Sequence, residues 1–304
     1  MKNRHHIDFS ATYQGISRMN FDDKVNILLK NAFEEDLGDT GDITTKAIFT
    51  ENTKVKALIK SKEDGILSGV KLIAPAFSYF DKNCSVDLLK SDGETLSEGC
   101  EIAKIYGNID AVLAAERTVL NLLQRLCGIA TATNVFSKKI RQTRAKIIDT
   151  RKTTPMFRFL EKEAVVHGGG QNHRFGLYDM ILIKDTHIKA AGGADIAAAK
   201  AINFVKKQNL LCKIEVEVQN LEEFSKVISL DEKPDRIMLD NMNTDDICAA
   251  VKLRDKVSPR VEIEASGNVN ENSVVQIAET GVDFISVGAL THSVKSLDIH
   301  LIIL

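Results

Sequence analysis

The run KIEVEVQNLEEFSKVISLDEKPDRIMLD (213–240) places two short apolar segments on either side of one helix-patterned stretch. KIEVEV (213–218) and RIMLD (236–240) have strand length, and 220–228 between them has helical spacing. Strand, helix and strand in that order form the unit of a parallel sheet. The same rhythm recurs outward from this run. Further apolar segments are KIIDT (146–150), MILIK (180–184), VEIEAS (261–266) and DFISVG (283–288), with helical patterns at 155–166, 193–208, 244–256 and 271–280. Six such strands can form an open doubly wound sheet or a barrel, and the pattern alone leaves both open. No repeat at a fixed period suggests a solenoid.

Before this region the rhythm is different. Residues 21–37 put Val25, Leu28, Leu29, Ala32 and Phe33 on one helical stripe, with Gly38 as a stop. DTGDITT (39–45) reads as turn chemistry, and Asp36, Asp39 and Asp42 lack the spacing of a calcium loop. Segments 54–60, 84–90 and 101–107 read as strands, with a helix from about Gly69 to Asp81 between the first two. This predicts an α+β region of antiparallel character. The pattern from Asp110 to about Arg144 is helical, and Gly128 marks an interruption or a close packing point.

Composition excludes several classes. Forty Lys/Arg against forty-two Asp/Glu give a net charge of −2, so nothing global points to nucleic acid or a membrane surface. No stretch of about 18 apolar residues exists to span a bilayer. The N-terminus has no signal-peptide pattern. Five scattered cysteines, Cys84, Cys100, Cys127, Cys212 and Cys248, fit buried reduced thiols in a cytoplasmic protein. Local charge is more informative: residues 116–189 carry 14 Lys/Arg against 6 Asp/Glu. Lys138, Lys139, Arg141, Arg144 and Lys146 fit a solvated face. Arg151, Lys152, Arg174 and Lys184 do not, because they flank strand-like runs.

In parallel α/β architectures chemistry gathers at the carboxyl ends of the strands. Here Asp149, Arg151 and Lys152 follow the first strand, and Lys184 ends the second. Glu215 and Glu217, two apart, share one face of the third. Asp240 ends the fourth, Ser266 and Gly267 the fifth, and Gly288 the sixth. Arg151, Lys152, His173, Arg174 and Lys184 make a cationic zone suited to an anion of more than one charge. Glu215, Glu217 and Asp240 make an acidic zone suited to Mg²⁺, sugar hydroxyls or a developing cation. SGN (266–268) and VGA (287–289) resemble loops that hold a phosphate on backbone N–H groups. Any single charged residue could equally be half of an interior salt bridge; the ordered set is harder to explain that way. His187 and His292 read as structural. No GxxxxGK[ST] or GxGxxG occurs, which argues against a P-loop and a dinucleotide fold. The glycines of GGGQNHR (168–174) therefore read as a tight turn that aims His173 and Arg174 inward beside Arg151 and Lys184.

These residues resemble a known family. EDLGDTGDITT (35–45), AERTVLNLLQRLCGIAT (115–131), the segment 149–187 containing DTRKTTP and GGGQNHR, EVEVQNLEE (215–223), IMLDNM (237–242), IEASGN (263–268) and GVDFISVGALTHS (281–293) are similar, in order, to the quinolinate phosphoribosyltransferases. The resemblance implies an N-terminal α/β sandwich over 1–128, joined by 294–304, and an incomplete α/β barrel of about six strands over 129–293. It implies a homodimer or higher oligomer in which Arg117, of AERT, reaches the neighbouring subunit's site.

It also implies an activity: transfer of phosphoribose from phosphoribosyl pyrophosphate to quinolinate with loss of CO₂ and pyrophosphate, giving nicotinate mononucleotide for NAD biosynthesis. Thr150, Arg151, His173, Arg174 and Lys184 then correspond to the quinolinate-binding segment. Lys152, Glu217 and Asp240 correspond to the catalytic groups around ribose, pyrophosphate and Mg²⁺, with the metal held mainly through the pyrophosphate and next to Glu217 and Asp240. Ser266, Gly267 and Asn268, with Val287, Gly288 and Ala289, correspond to the 5′-phosphate loops. SGN stands where SGG is more usual, and a backbone-donor role survives that change. The chemistry is self-consistent. Cations neutralise the dianion while its ring nitrogen attacks C1′, carboxylates stabilise oxocarbenium character there, and the cationic ring then accepts electrons as CO₂ leaves. A nicotinate-specific relative, a paralogue linked to molybdenum uptake, and a non-catalytic binding homologue are the competing readings.

Overall fold

A computed structural model describes residues 19–49 and 53–304. The expectation about an export signal falls on the first residues, outside those described. Among the described residues, no helix is long and apolar enough to cross a membrane.

The chain begins with α1 (Phe21–Leu37), capped by the Asn20 side chain and ended at Gly38, whose φ is 50°. Val25, Leu29 and Phe33 bury its apolar stripe. The turn expected at 39–45 is present at its start, over 38–40, and then gives way to a cap and a short helix, α2 (Ile43–Ile48): the Asp42 carboxylate accepts from the N–H groups of Thr44 and Thr45. Six residues are too few to show helical periodicity, so the sequence reads only the cap. Next come β1 (Lys54–Ser61), β2 (Gly65–Ile66), a 3₁₀ turn (Val70–Leu72), α3 (Ile73–Phe80), β3 (Ser85–Leu88), β4 (Thr95–Leu96) and β5 (Glu101–Asn108).

Helix α4 (Ile109–Lys139) then runs for 31 residues without a break. Gly128 is thus the close-packing point and not an interruption. A β-carbon there would collide with the Lys295 carbonyl. We expect Gly128→Ala to lower stability by about 1–3 kcal/mol, because a backbone oxygen cannot swing aside; this outweighs the roughly 1 kcal/mol that alanine gains in a helix. Thermal unfolding would show it, and an unchanged midpoint would mean that the 294–295 segment moves freely.

The second half contains β6 (Lys146–Ile148), α5 (Arg158–His167), β7 (Met180–Ile183), α6 (Asp185–Ala191), α7 (Ala194–Gln208), β8 (Lys213–Val218), α8 (Leu221–Ile228), β9 (Arg236–Asp240), α9 (Thr244–Val257), β10 (Glu262–Ser266), α10 (Val274–Glu279), β11 (Phe284–Ser286), α11 (Ala289–His292) and β12 (Ile299–Ile303). The sheet order is β6-β11-β10-β9-β8-β7, with every pair parallel. The first strand therefore neighbours the last, which selects the barrel over the open sheet, and the barrel is incomplete between β6 and β7. Gln171 spans part of that seam: its N–H donates to the Ile147 carbonyl at 2.8 Å and its carbonyl accepts from the Asp149 N–H at 3.2 Å. The N-terminal part is an antiparallel sheet in the order β12-β1-β5-β3. The C-terminal strand β12 pairs β1 from Ala57–Ile303 to Ser61–Ile299, so the last residues return to the N-terminal sheet.

The glycines of GGGQNHR have more specific duties than a simple turn. A β-carbon on Gly168 would collide with the Ala130 carbonyl of α4, and one on Gly170 would press on Thr133 and Val165 at 2.8 Å. Gly169 has φ 89°, in the left-handed region. Two of the three glycines thus serve close helix packing, and one serves the turn. The five cysteines are all free, but only Cys127 is buried.

Candidate active site

Loops after β6 through β11 converge on one mouth. Arg151, just past β6, and Arg174, past the seam, are partly buried, and the Nε atom of each is buried with no hydrogen-bond partner among the described residues. One Arg174 terminal nitrogen donates to the Met180 carbonyl at 3.1 Å. Burial, and then the positive charge of Arg151, hold the Arg174 guanidinium below its usual pKa. Two like charges kept together, each with an orphaned buried donor, form a ready receptor for an anion. Lys184, past β7, stands 3.7 Å from Glu217 Oε2. The Glu217 carboxyl is pushed up by burial, pulled down by Lys184 and pushed up again by Asp240. The two carboxylates therefore feel one another across β8 and β9. Lys152 lies over Gly288, where a β-carbon would stand 3.1 Å from its side chain. The Thr150 hydroxyl accepts from the Lys152 N–H at 3.1 Å, and Thr291 donates to the Lys152 carbonyl at 2.8 Å.

The acidic zone read from the sequence is split by depth. Glu217 is partly exposed at the mouth, whereas Glu215 is fully buried below it. Same-face spacing put them together, but in a barrel a two-residue step along a strand is a step along the barrel axis. His173 belongs to the deeper layer and is not a charge of the cationic zone. Its Nδ1 accepts from the Arg174 N–H at 2.7 Å, so Nε2 carries the proton; Nε2 faces Glu215 Oε2 at 3.0 Å and Glu264 Oε2 at 3.6 Å. Burial lowers the His173 pKa, which keeps the ring neutral. The ligand atoms of His173, Glu215 and Glu264 lie within 4.8 Å of one another, a spacing a metal could use. The cluster already has a cation, however. Arg236 donates to Glu264 Oε2 at 2.8 Å and to Glu262 Oε2 at 3.1 Å, with Phe284 under its guanidinium at 3.9 Å.

Lys162 is the residue that sequence reading missed outright. In LEKEAVV (160–166) it looks like an exposed helix charge, yet it is 2% exposed. Its ammonium donates to Asp149 Oδ1 and, at 3.0 Å, to the His173 carbonyl. The same Asp149 oxygen accepts from the His173 N–H at 2.9 Å. The Asn172 amide, oriented by its surroundings, donates to Asp149 Oδ2 at 2.6 Å and to the Lys162 carbonyl at 2.9 Å. Glu264 was also missed, although VEIEAS repeats the alternation that drew attention to Glu215. Beside this layer, Glu161 accepts from Arg125 at 2.6 Å and from the Thr154 N–H at 3.1 Å, tying α4 and α5 to the loop after β6.

At the far side of the mouth, Gly267 (φ 97°), Asn268 (φ 51°) and Asn241 (φ 55°) all have left-handed backbones. Ser266 and Asp240 are the last residues of β10 and β9 and are paired in register. Val287 is buried, with its N–H donating to the Ile148 carbonyl at 3.0 Å; Gly288 and Ala289 turn the chain into α11. Arg117 stands apart from this group, on α4, 61% exposed and 3.9 Å from Glu116.

Comparison with known proteins agrees with this architecture. Residues 42–127 match the quinolinate phosphoribosyl transferase N-terminal domain, and residues 129–302 match the C-terminal domain of the same family. A chloroplastic nicotinate-nucleotide pyrophosphorylase (carboxylating) of Arabidopsis thaliana is 42% identical over 284 residues, covering 90% of this chain and 81% of that protein. A probable nicotinate-nucleotide pyrophosphorylase (carboxylating) of Bacillus subtilis is 44% identical over 274 residues, covering 90% and 91%. The solved nicotinate-nucleotide pyrophosphorylase of Francisella tularensis superposes with a TM-score of 0.85 at 40% identity, covering 94% of this chain and 98% of the other. Matches over both halves, on a barrel whose strand ends carry these groups, make the chain a member of the quinolinate phosphoribosyltransferase family.

Proposed function

We propose that this protein transfers phosphoribose from phosphoribosyl pyrophosphate to quinolinate with decarboxylation, giving nicotinate mononucleotide, CO₂ and pyrophosphate in NAD biosynthesis. The observation that carries this reading, beyond family membership, is the Arg151–Arg174 pair with its unpartnered buried donors. Quinolinate is a planar dianion, and paired guanidiniums suit its carboxylates. Lys184 completes the cationic set, and Thr150, next to Arg151 in the chain, belongs to the same quinolinate-binding segment. His173 supports that set from behind, through the Arg174 backbone.

Lys152, Glu217 and Asp240 take the ribose and pyrophosphate side. As the C1′–oxygen bond breaks, the carboxylates stabilise positive charge developing on the sugar. The donor set fits a hard divalent cation: Asp240 pushes the Glu217 carboxyl up, and a cation beside the two oxygen donors would offset that repulsion. Glu217 and Asp240 are the groups that would hold Mg²⁺ beside the pyrophosphate, where it would supply neutralising charge. Ser266, Gly267 and Asn268, with Gly288 and Ala289, form the loops that take the 5′-phosphate on backbone N–H groups, and Val287, whose own N–H is held by the Ile148 carbonyl, anchors the second of them.

The exposure of Arg117 suits a role outside its own chain, in the site of a second copy, so a homodimer or larger oligomer is part of the proposal. A cytoplasmic location is a further part, supported by five free thiols. Purified protein with quinolinate, phosphoribosyl pyrophosphate and Mg²⁺ is expected to release CO₂ and mononucleotide in equal amounts, and none with nicotinate. Turnover of nicotinate without CO₂ would overturn the assignment.

A further inference from the structure

The turn after β9 and the turn after β10 are locked together by three unusual positions. Asn241 and Asn268 both hold positive φ, which costs a non-glycine residue energy and persists only where the surroundings enforce it. Between them, Gly267 also has positive φ, and a β-carbon on it would collide with the Asn241 side-chain amide. The Asn241 N–H donates to the Ser266 carbonyl at 2.8 Å, pinning one turn to the other. Across this contact the Asn268 amide nitrogen donates to Asn241 Oδ1 at 3.0 Å, and the Asn241 amide nitrogen donates to Asp240 Oδ2 at 2.8 Å. The Asn268 carbonyl in turn accepts from the Asn270 amide at 3.3 Å.

We infer that Asn268 and Asn241 form an amide relay that orients the Asp240 carboxylate, making both asparagines positioning residues for the phosphoribosyl pyrophosphate side of the site. The polarity of the chain supports this. An amide has one acceptor end and one donor end. With its oxygen held by Asn268, Asn241 can present only its NH₂ group to Asp240. The bond to a carboxylate is charge-assisted, so it also fixes the rotation of that carboxylate. Asn268 thereby adds a side-chain duty to a turn whose backbone faces phosphate, a duty a glycine at that position would lack. The inference rests on the role proposed above for Asp240.

The test uses glycine, which accepts the positive φ at both positions and removes only the amides. Affinity for phosphoribosyl pyrophosphate with Mg²⁺ would be measured by calorimetry on the full-length protein and on the Asn268→Gly, Asn241→Gly, double and Asp240→Asn variants. Each single glycine variant is expected to weaken binding about tenfold, as loss of a group that orients a ligating carboxylate commonly does. The double variant is expected to match Asn241→Gly, because the two changes break one chain. Asn268→Asp should be at least as damaging as Asn268→Gly, since its carboxylate would turn the Asn241 amide away from Asp240.

Unchanged affinity in Asn268→Gly, or a hundredfold additive loss in the double variant, would overturn the relay. Loss of a cooperative melting transition in the glycine variants would overturn it too, by showing that the amides hold the turn and not the carboxylate. If Asp240→Asn binds as the parent does, the reading of Asp240 is at fault and the relay falls with it; normal turnover by the parent protein would leave the assigned activity intact.

Discussion

Replacing Lys162 with methionine is expected to destabilise the protein by about 3–5 kcal/mol, the usual result of stripping one partner from a buried ion pair. Lys162 is the direct cation on Asp149, and both are buried in the layer under the site. Burial already pushes the Asp149 carboxyl up to about 6, against the pull of Lys162. Without Lys162 it would rise further, and Asp149 would fold most readily with a proton. A carboxyl whose folded pKa lies above its unfolded value contributes stability at low pH and loses it as pH rises through that interval. The penalty for Lys162→Met should therefore be smaller at pH 5 than at pH 8, as denaturant titrations at the two pH values would show. Adding Asp149→Asn should recover part of the loss, because the uncompensated charge is gone. A pH-independent penalty would mean that packing, not charge, is what Lys162 supplies. Because Lys162 and Asp149 also hold the His173 backbone and the Asn172 side-chain amide, the variant should bind quinolinate more weakly even where it stays folded.

The second large effect is at Arg174. Changing it to alanine should weaken quinolinate binding by about 10²–10³-fold, in line with the 2–5 kcal/mol typical of a truncated charge partner. It should leave phosphoribosyl pyrophosphate affinity near that of the parent. Lysine should restore little, because a point charge cannot reproduce a planar fork. The pairing with Arg151 sharpens the expectation: with one guanidinium gone, the other is relieved of its like-charged neighbour, yet it cannot grip a second carboxylate. Calorimetry with each substrate separately measures both affinities, and unchanged quinolinate affinity would remove Arg174 from the clamp.

Much of this architecture is legible in the sequence. Strand-helix alternation from 146 to 288 follows from short-range periodicity, which a linear reading captures, and so does the placing of Arg151, Lys184, Glu217 and Asp240 at strand ends. The helix at 43–48 escapes that reading because one turn and a half has no period to detect. The helix expected at 193–208 is α7 (Ala194–Gln208), whereas the seven-residue α6 before it, ended by Gly192 at φ 93°, is too short to show a period either.

Depth and partnership are not local properties, and the limits of the sequence lie there. KIEVEV shows that Glu215 and Glu217 share a face; only the rolled sheet puts one under the other, with Arg236 and Glu264 supplied from strands over twenty residues away. GGGQNHR shows that the backbone must do something a side chain would prevent, but the Ala130 carbonyl that forbids a side chain at Gly168 comes from a distant helix. Lys162 is the clearest case. In sequence it is a lysine on an amphipathic helix with nothing local to mark it as buried, and it becomes the cation of a buried layer only because α5 packs its inner face over Asp149. The sequence alone determined the secondary-structure rhythm and the chemistry at the strand ends, since both depend on neighbours a few residues apart. Closure of the barrel, the neutral state of His173 and the amide chain from Asn268 to Asp240 were decided by the tertiary structure, since each depends on which distant groups share a desolvated or sterically crowded space.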